Sequence, residues 1–307
     1  MSSRSDIVTV GLVQMKCVPD RATNLRVAET GIREAAKKGA SIICLPELFL
    51  GPYFCQTEDH TAFADAEPVP GPVTAHFELL ASELGVSLLL SLFEKRTEGL
   101  YHNTLAVLDP ERGYLGKYRK MHIPDDPLYY EKFYFAPGDL GFKVFETGGV
   151  RAGTLVCWDQ WYPEAARLTV LMGAQILFYP TAIGWHPHEK DAFGAKQHEA
   201  WQTVQRSHAV ANGCFVVAVN RHGFEPTPSV PGEPDNEYPD GIQFWGRSFV
   251  AAPDGSIIAE GADSDDAVIV CDLDLGQITE MRTGWPFFRD RRIDAYAPLT
   301  KRFIDDD

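Results

Sequence analysis

Apolar and polar positions alternate along "IVTVGLVQM" (7–15), the period of a strand. The next segment, "NLRVAETGIREAAKKG" (24–39), changes period: its apolar residues recur at helical spacing, with Gly39 as the stop. An unbroken apolar run, "ASIICLPE", follows and reads as a buried strand. Much later "YPEAARLTVLMG" repeats the helix, with Pro163 suited to a first helical position and Gly173 as the stop, and "AQILFYPT" repeats the strand. Side by side, "KGASIICLPE" and "MGAQILFYPT" share Gly-Ala, an apolar run, a proline and then a polar residue. "NTLAVLDPERGYLGKY" and "RSFVAAPDGSIIAEG" form a second echo, each a strand, a Pro- and Gly-containing turn and a strand. A further helix, "QHEAWQTVQRSHAVANG", leads into "CFVVAVNR".

The order is therefore strand, helix, strand, helix, strand, hairpin, given twice. "VSLLLSLF" and "GCFVVAV" are apolar on both faces, so their sheets are expected to be covered on both sides. Two such halves packed sheet to sheet make an α/β fold, a four-layer αββα sandwich of two repeated halves. Residues 6–285 are expected to form this domain and 286–307 a C-terminal tail.

Composition narrows the function classes. The 307 residues are 45% hydrophobic, enough for a full core, and 43 acidic against 28 basic residues leave a net charge of −15. That excess speaks against nucleic-acid partners, whose phosphates are bound by clustered Lys and Arg. No apolar run reaches the ~20 residues of a membrane helix, and the N-terminus lacks the apolar core of a signal peptide. A cytoplasmic location with no membrane partner is expected. "EPTPSVPGEPDNEYPDG" (225–241) reads as a long surface loop. His186, His188 and His198 lack the partners of a zinc site, and there is neither a Gly-x-Ser-x-Gly elbow nor a Gly-rich phosphate loop.

Six cysteines stand at 17, 44, 55, 157, 214 and 271, without a Cys-x-x-Cys pair. Cys44, Cys214 and Cys271 lie in apolar runs and read as core. Cys157 differs: it ends the run "RAGTLV" just before a helix, where open α/β folds gather their chemistry. Glu47 and Lys120 also stand at strand ends. A free thiol, with a pKa of ~8.5, is mostly protonated at neutral pH. A helix N-terminus or the Lys120 cation favours its anion, and Glu47 is a fitting general base. The Lys120 ammonium and the Trp158 backbone N–H would face an oxyanion. Nothing in the spacing of these residues makes them meet.

"LPELF" with Glu47, "YRKMHIPD" with Lys120 and "CWDQWYPEAAR" with Cys157 resemble, in order, the three signature segments of the nitrilase, or carbon–nitrogen hydrolase, superfamily. The resemblance runs from about Val8 to Tyr296. It implies an αββα sandwich with Glu47 as general base, Lys120 as transition-state stabiliser and Cys157 as nucleophile, acting on a small ureido or amide substrate without cofactor or metal. "YYEKFYFAPGD" resembles the segment of the family's second glutamate, which makes Glu131 a fourth site residue, orienting Lys120 or the attacking water. "GPYFCQ", "FYPTAIG" and "FFRDRRIDAY" point within the family to the ureido hydrolases of polyamine synthesis. On that reading Tyr53, Trp158, Thr181 and Ala182 contact substrate, while Trp185 stands at the pocket mouth and reshapes it. The resemblance also implies a homo-oligomer, with the C-terminal tail as an arm. A hydrolase for carbamoyl amino acids, ureido acids or ω-amides is the rival enzyme, and it needs a cationic clamp such as Arg151, Arg167 or Arg221. A catalytically silent scaffold is the rival from another class.

Overall fold

The structure, a computed structural model, describes residues 6–230 and 240–305. Five strands open the chain: β1 (Ile7–Gln14), β2 (Ile42–Cys44), β3 (Ser87–Thr97), β4 (Leu100–Asp109) and β5 (Gly113–Arg119). Ten follow: β6 (Lys143–Thr147), β7 (Val150–Thr154), β8 (Ile176–Thr181), β9 (Gly184–Trp185), β10 (Phe215–Asn220), β11 (His222–Glu225), β12 (Ile242–Trp245), β13 (Phe249–Ala251), β14 (Ile257–Glu260) and β15 (Ala267–Asp274). They form two six-stranded sheets, β15-β1-β2-β3-β4-β5 and β6-β7-β8-β10-β13-β14, and a small sheet β11-β12-β9.

The two large sheets repeat each other strand for strand. In each, the first pair is antiparallel, the next two are parallel and the last two antiparallel. Gly11 faces Ile43 in the first half as Gly153 faces Leu177 in the second. The expected repeat therefore holds down to register. Not foreseen was the closing of the first sheet by β15 from the far end of the chain, antiparallel to β1. On this edge strand Cys271 is only half-buried, so it is not the core residue its apolar run suggests.

Side-chain alternation builds the layers. Ile42, Cys44 and Leu89 share one apolar cluster with Ile176 and Phe178, so they join sheet to sheet. Their neighbours Ile43, Leu88 and Leu90 pack with Ile32 and Ala35 of helix α1 (Arg21–Lys37) and Phe77 and Ala81 of helix α2 (Pro72–Leu84). Helix and sheet approach closely at Gly31, where an added Cβ would lie 2.5 Å from a Val13 methyl, so only glycine fits without a shift. Helix α1 starts three residues before the expected Asn24, because the Asp20 side chain caps it by accepting from Thr23 N at 3.0 Å. The short helix α3 spans Glu131–Tyr134 and helix α4 spans Pro163–Leu171, with its proline first as expected. Helix α5 (Lys190–Asn212) begins well before its periodic core; Gly194 lies inside it because the Trp185 indole rests there, 3.0 Å from where a Cβ would be. Helix α6 spans Gly276–Gly284.

The stretch 225–241 opens with Glu225, the last residue of β11, which is buried rather than on a loop surface; residues 231–239 of that stretch lie outside the described residues. No helix among the described residues is long and apolar enough to cross a membrane.

Candidate active site

The repeat brings the ends of β2 and β8 together. Glu47, just past β2, donates its backbone N–H to the carbonyl of Thr181 at 3.4 Å, and these two residues occupy equivalent places in the two halves. From this seam the Glu47 side chain, fully buried, turns toward the first sheet. Its Oε1 accepts from Lys120 Nζ at 2.8 Å and from Asn103 Nδ2 at 2.7 Å, while Oε2 has no partner among the described residues. A buried carboxylate oxygen left free is costly unless it has work to do.

Lys120 follows β5, and its backbone N–H is held by the Asn103 carbonyl at 2.9 Å. Its ammonium also donates to both oxygens of Glu131, at 2.9 and 2.7 Å, and no part of either side chain reaches solvent. Burial works against the Lys120 charge, but Glu131 and Glu47 outweigh it and hold the ammonium well above the ordinary lysine value. Burial pushes the Glu131 carboxyl upward against the pull of Lys120. Tyr53 completes this cluster by donating its hydroxyl to Glu131 Oε1 at 2.6 Å.

Cys157 starts a five-residue 3-10 turn, Cys157–Trp161, ahead of α4. Its φ of +39° is a left-handed conformation that costs a non-glycine residue on the order of 1–3 kcal/mol, strain that surrounding contacts must hold. Asp159 supplies much of that hold. This buried carboxylate accepts from Val156 N at 2.9 Å, Tyr118 Oη at 2.8 Å and, from the Lys120 segment, His122 N at 3.1 Å and Nδ1 at 2.7 Å. It latches the cysteine turn to the lysine strand. Burial, reinforced by Glu47, keeps the Cys157 thiol well above its ordinary pKa despite Lys120. Lys120 favours the anion, as expected, but burial and the Glu47 carboxylate outweigh it, so the sulfur rests protonated; a short turn separates it from α4.

Cys157 forms part of the wall of a cavity of about 350 Å³. Tyr129, Trp158, Trp161, His186 and Trp245 supply aromatic surface, Ala182 to Gly184 the backbone, and Asp126 and Glu189 the charge. No lysine or arginine lines this cavity among the described residues. Of the expected substrate contacts, Trp158 and Ala182 line it; Tyr53, Thr181 and Trp185 do not. The Tyr53 hydroxyl is engaged by Glu131, and Thr181 Oγ1 by the Tyr179 carbonyl at 3.0 Å. Trp185, in β9, turns its indole into the protein, where Nε1 donates to Gly194 O at 2.9 Å and the ring packs on Trp245. It backs the wall and does not narrow the mouth.

None of the three arginines weighed as a substrate clamp faces the cavity. Arg151 bonds the carbonyls of Gly173 and Met172, Arg167 bonds Ala211 O and lies over Phe288, and Arg221 is buried beneath the Glu47 turn. Sequence reasoning missed Asn103, although a polar residue at a fully buried position of an apolar strand is a usable signal. Tyr129 also lines the cavity, and its hydroxyl accepts from Gly184 N at 3.1 Å on the wall.

Comparison with known proteins agrees with this arrangement. The family model for carbon-nitrogen hydrolase matches residues 9–283. The chain is 46% identical over 293 residues, 95% of each chain, to an N-carbamoylputrescine amidase of Arabidopsis thaliana. It is 38% identical to a citrullinase of Francisella tularensis, over 96% of this chain and 99% of that one. The crystal structure of a carbon-nitrogen hydrolase from Helicobacter pylori superposes with a TM-score of 0.92 at 42% identity, covering 97% of this chain and all of that one. The chain belongs to the carbon–nitrogen hydrolase family, enzymes that cleave carbon–nitrogen bonds other than peptide bonds.

Proposed function

We propose that the protein is an N-carbamoylputrescine amidase, releasing putrescine, ammonia and carbon dioxide. The observation that carries the choice of substrate is the cavity wall beside Cys157: aromatic surface and two carboxylates, Asp126 and Glu189, without a cation. A ureido compound with a protonated amine at its far end suits such a wall, by charge and by cation–π attraction. A ureido acid meets two like charges and no clamp.

The chemistry follows from the buried groups. Cys157 attacks the ureido carbon while Glu47 takes the thiol proton through its unpartnered oxygen; a sulfur that rests protonated needs that base during attack, not before. Lys120, kept charged by Glu131 and Glu47, stabilises the oxyanion. The terminal C–N bond breaks and Glu47 returns the proton to the departing amine, which leaves as ammonia. A carbamoyl group stays on sulfur. Water, deprotonated by Glu47, adds to it and displaces the thiol, and the released carbamate loses carbon dioxide to give the diamine. Glu131 orients Lys120, and Tyr53 orients Glu131.

A substrate panel tests this reading. Ammonia release is expected from N-carbamoylputrescine with kcat/KM about 100-fold above that for N-carbamoyl amino acids or citrulline, because two like charges and a missing clamp together are worth about 3 kcal/mol. Equal or better turnover of the ureido acids would overturn the substrate assignment.

The subunit also carries an apolar outer face suited to self-association. Leu168 and Leu171 on α4 and Met172 at its end are 43–48% exposed, and Trp285, then Ile293, Leu299 and Phe303 of the C-terminal tail, extend the exposed apolar surface. Phe288 anchors the start of that tail between Arg167 and Arg282. A homo-oligomer that covers this face is expected at micromolar concentration, and a monomer in sedimentation equilibrium would refute it.

A further inference from the structure

A second buried ion pair lies beneath the base rather than beside the nucleophile. Arg221, just past β10 in the second half, is fully buried, as is its partner Glu225, whose Oε1 accepts from Arg221 Nη1 at 2.8 Å. The guanidinium reaches across the seam to the turn of the first half, donating to the carbonyls of Glu47 at 2.7 Å, Leu48 at 2.9 Å and Gly51 at 3.1 Å. Leu48, held in this grip, has a φ of +50°, so the turn that aims Glu47 is a strained one fixed from below. Glu225 spends its other oxygen on the backbone N–H of Tyr53 at 2.6 Å, the residue whose hydroxyl bonds Glu131. The bonds close a ring: Arg221 to the Glu47 backbone, the Glu47 side chain to Lys120, Lys120 to Glu131, Glu131 to Tyr53, Tyr53 to Glu225, and Glu225 back to Arg221.

We propose that Arg221 and Glu225 are positioning residues for catalysis, a pair that never touches substrate but sets both active-site carboxylates, Glu47 through its backbone and Glu131 through Tyr53. This rests on the reading of Glu47 as the base. The surrounding structure favours alignment over simple packing. An arginine used only to fill the core would not bond three carbonyls within one five-residue turn, those of Glu47, Leu48 and Gly51, nor would its counter-ion bond Tyr53, which with Lys120 holds the second carboxylate. The ring also carries charge: Arg221 and Glu47 interact directly as charges. Among the described residues, the other ionisable groups facing the two carboxylates include Lys120, Cys157, Cys55, Tyr53 and Tyr129. Removing the Arg221 cation makes carboxylate ionisation harder, and neutralising Glu225 makes it easier.

The test compares Arg221→Gln, Arg221→Lys and Glu225→Gln with native protein, after melting curves establish that each is folded. For Arg221→Gln, kcat for ammonia release from N-carbamoylputrescine is expected to fall about 100-fold, the cost of a base displaced by about 1 Å, with KM within about threefold. Arg221→Lys, which keeps the charge but cannot span the carbonyls, should lie between it and native protein. The acid limb of the pH–rate profile should move up in Arg221→Gln and down in Glu225→Gln. A merely structural role would lower activity without opposite shifts. Alkylation of Cys157 by iodoacetamide, followed against pH in the same proteins, gives a readout independent of substrate: should native protein release no ammonia from N-carbamoylputrescine, the substrate reading fails while opposite shifts in alkylation still support the ring. A folded Arg221→Gln with kcat within threefold of native, or acid limbs that move together or not at all, would overturn the proposal. Should Arg221→Gln fail to fold, Glu225→Gln decides alone, by a downward shift or its absence.

Discussion

The two halves of this molecule share one path and, on the proposed mechanism, divide one reaction. Register pairs Gly11 with Gly153, and four residues on it pairs Met15 with Cys157; at the next strand it pairs Glu47 with Thr181. At each equivalent pair of strand ends one half carries a reactive side chain and the other a quiet one. Met15 is fully buried in the apolar cluster beneath α1, while Cys157 stands strained at the cavity. Glu47 keeps an oxygen free, while Thr181 satisfies itself on the Tyr179 carbonyl. The backbone bond from Glu47 to Thr181 marks the seam where the halves meet, and the site forms across it. Duplication supplies two sets of strand ends facing one another; only their different side chains make the place reactive.

Four tests break or sharpen this comparison. The largest effect belongs to the second half's own contribution: Cys157→Ala should lower ammonia release by about 10⁴-fold or more while leaving the melting temperature within a few degrees of native, since a small buried side chain is lost. Next comes the first half's contribution. Glu47→Gln keeps the shape and removes the proposed base, and kcat should fall on the order of 10³-fold in a steady-state assay. If Thr181→Val cost as much as Glu47→Gln, the division of labour between equivalent strand ends would be wrong.

The third test asks how each half closes its outer hairpin. In the first half Glu94, 1% exposed, accepts from Arg119 at 2.7 and 2.9 Å and from Thr104 at 2.6 Å, and pairs with Lys117. Burial pushes its carboxyl up, but these donors outweigh that and pull it down to about 2. A depressed carboxylate stabilises the fold fully above its unfolded value, near 4.5, and loses that contribution as pH falls through its folded value. Glu94→Gln should therefore cost on the order of 3 kcal/mol at pH 7 and clearly less at pH 3, measured by urea unfolding. Among the described residues, the equivalent hairpin of the second half has only longer, half-exposed pairs from Arg247, to Glu260 at 3.8 Å and Asp263 at 3.5 Å, and should show no such dependence. A gap that stays constant with pH would contradict this.

The smallest effect compares repeat-equivalent glycines. A Cβ on Gly153 would meet Thr169, Leu177 and Ala174 at 2.6–2.9 Å, and one on Gly11 would meet Ala35, Ala40 and Ile43 at 3.0–3.1 Å. Gly153→Ala should cost about 2–3 kcal/mol and Gly11→Ala about 1 kcal/mol, since overpacking rises steeply below contact distance. The reverse order in thermal melts would mean that the second half relaxes more easily than its contacts suggest.

How much of this was legible in the chain depended on how local the signal was. The repeat was readable because helix stop, Gly-Ala, apolar run and proline lie within ten residues of one another, and each has a local physical reason. The sandwich followed from runs apolar on both faces. β15 showed in the sequence only as an apolar run around Cys271, and its pairing with β1 did not show, since pairing across the whole chain leaves no local mark. Glu47, Lys120 and Cys157 were individually ordinary, and only resemblance brought them together. Trp185 was misplaced because its neighbours in sequence lie near the site, whereas pairing in β9 turns its indole inward. Arg221 was weighed as a substrate clamp because a lone arginine near a strand end looks available; its three carbonyl acceptors come from residues about 170 positions away. The protonated resting state of Cys157 was likewise out of reach, because the balance between Glu47 and Lys120 depends on distance and burial.

The central claim is that a sulfur of the second half reacts under a base of the first, and rapid quenching of turnover with peptide mass analysis tests it most directly. Native protein mixed with excess N-carbamoylputrescine and stopped in acid should carry a substrate-derived carbamoyl group on the peptide containing Cys157, at a level that falls sharply in Glu47→Gln quenched at the same early time. Turnover with no adduct on any cysteine, or an adduct on Cys55 with Cys157 unmodified, would contradict it.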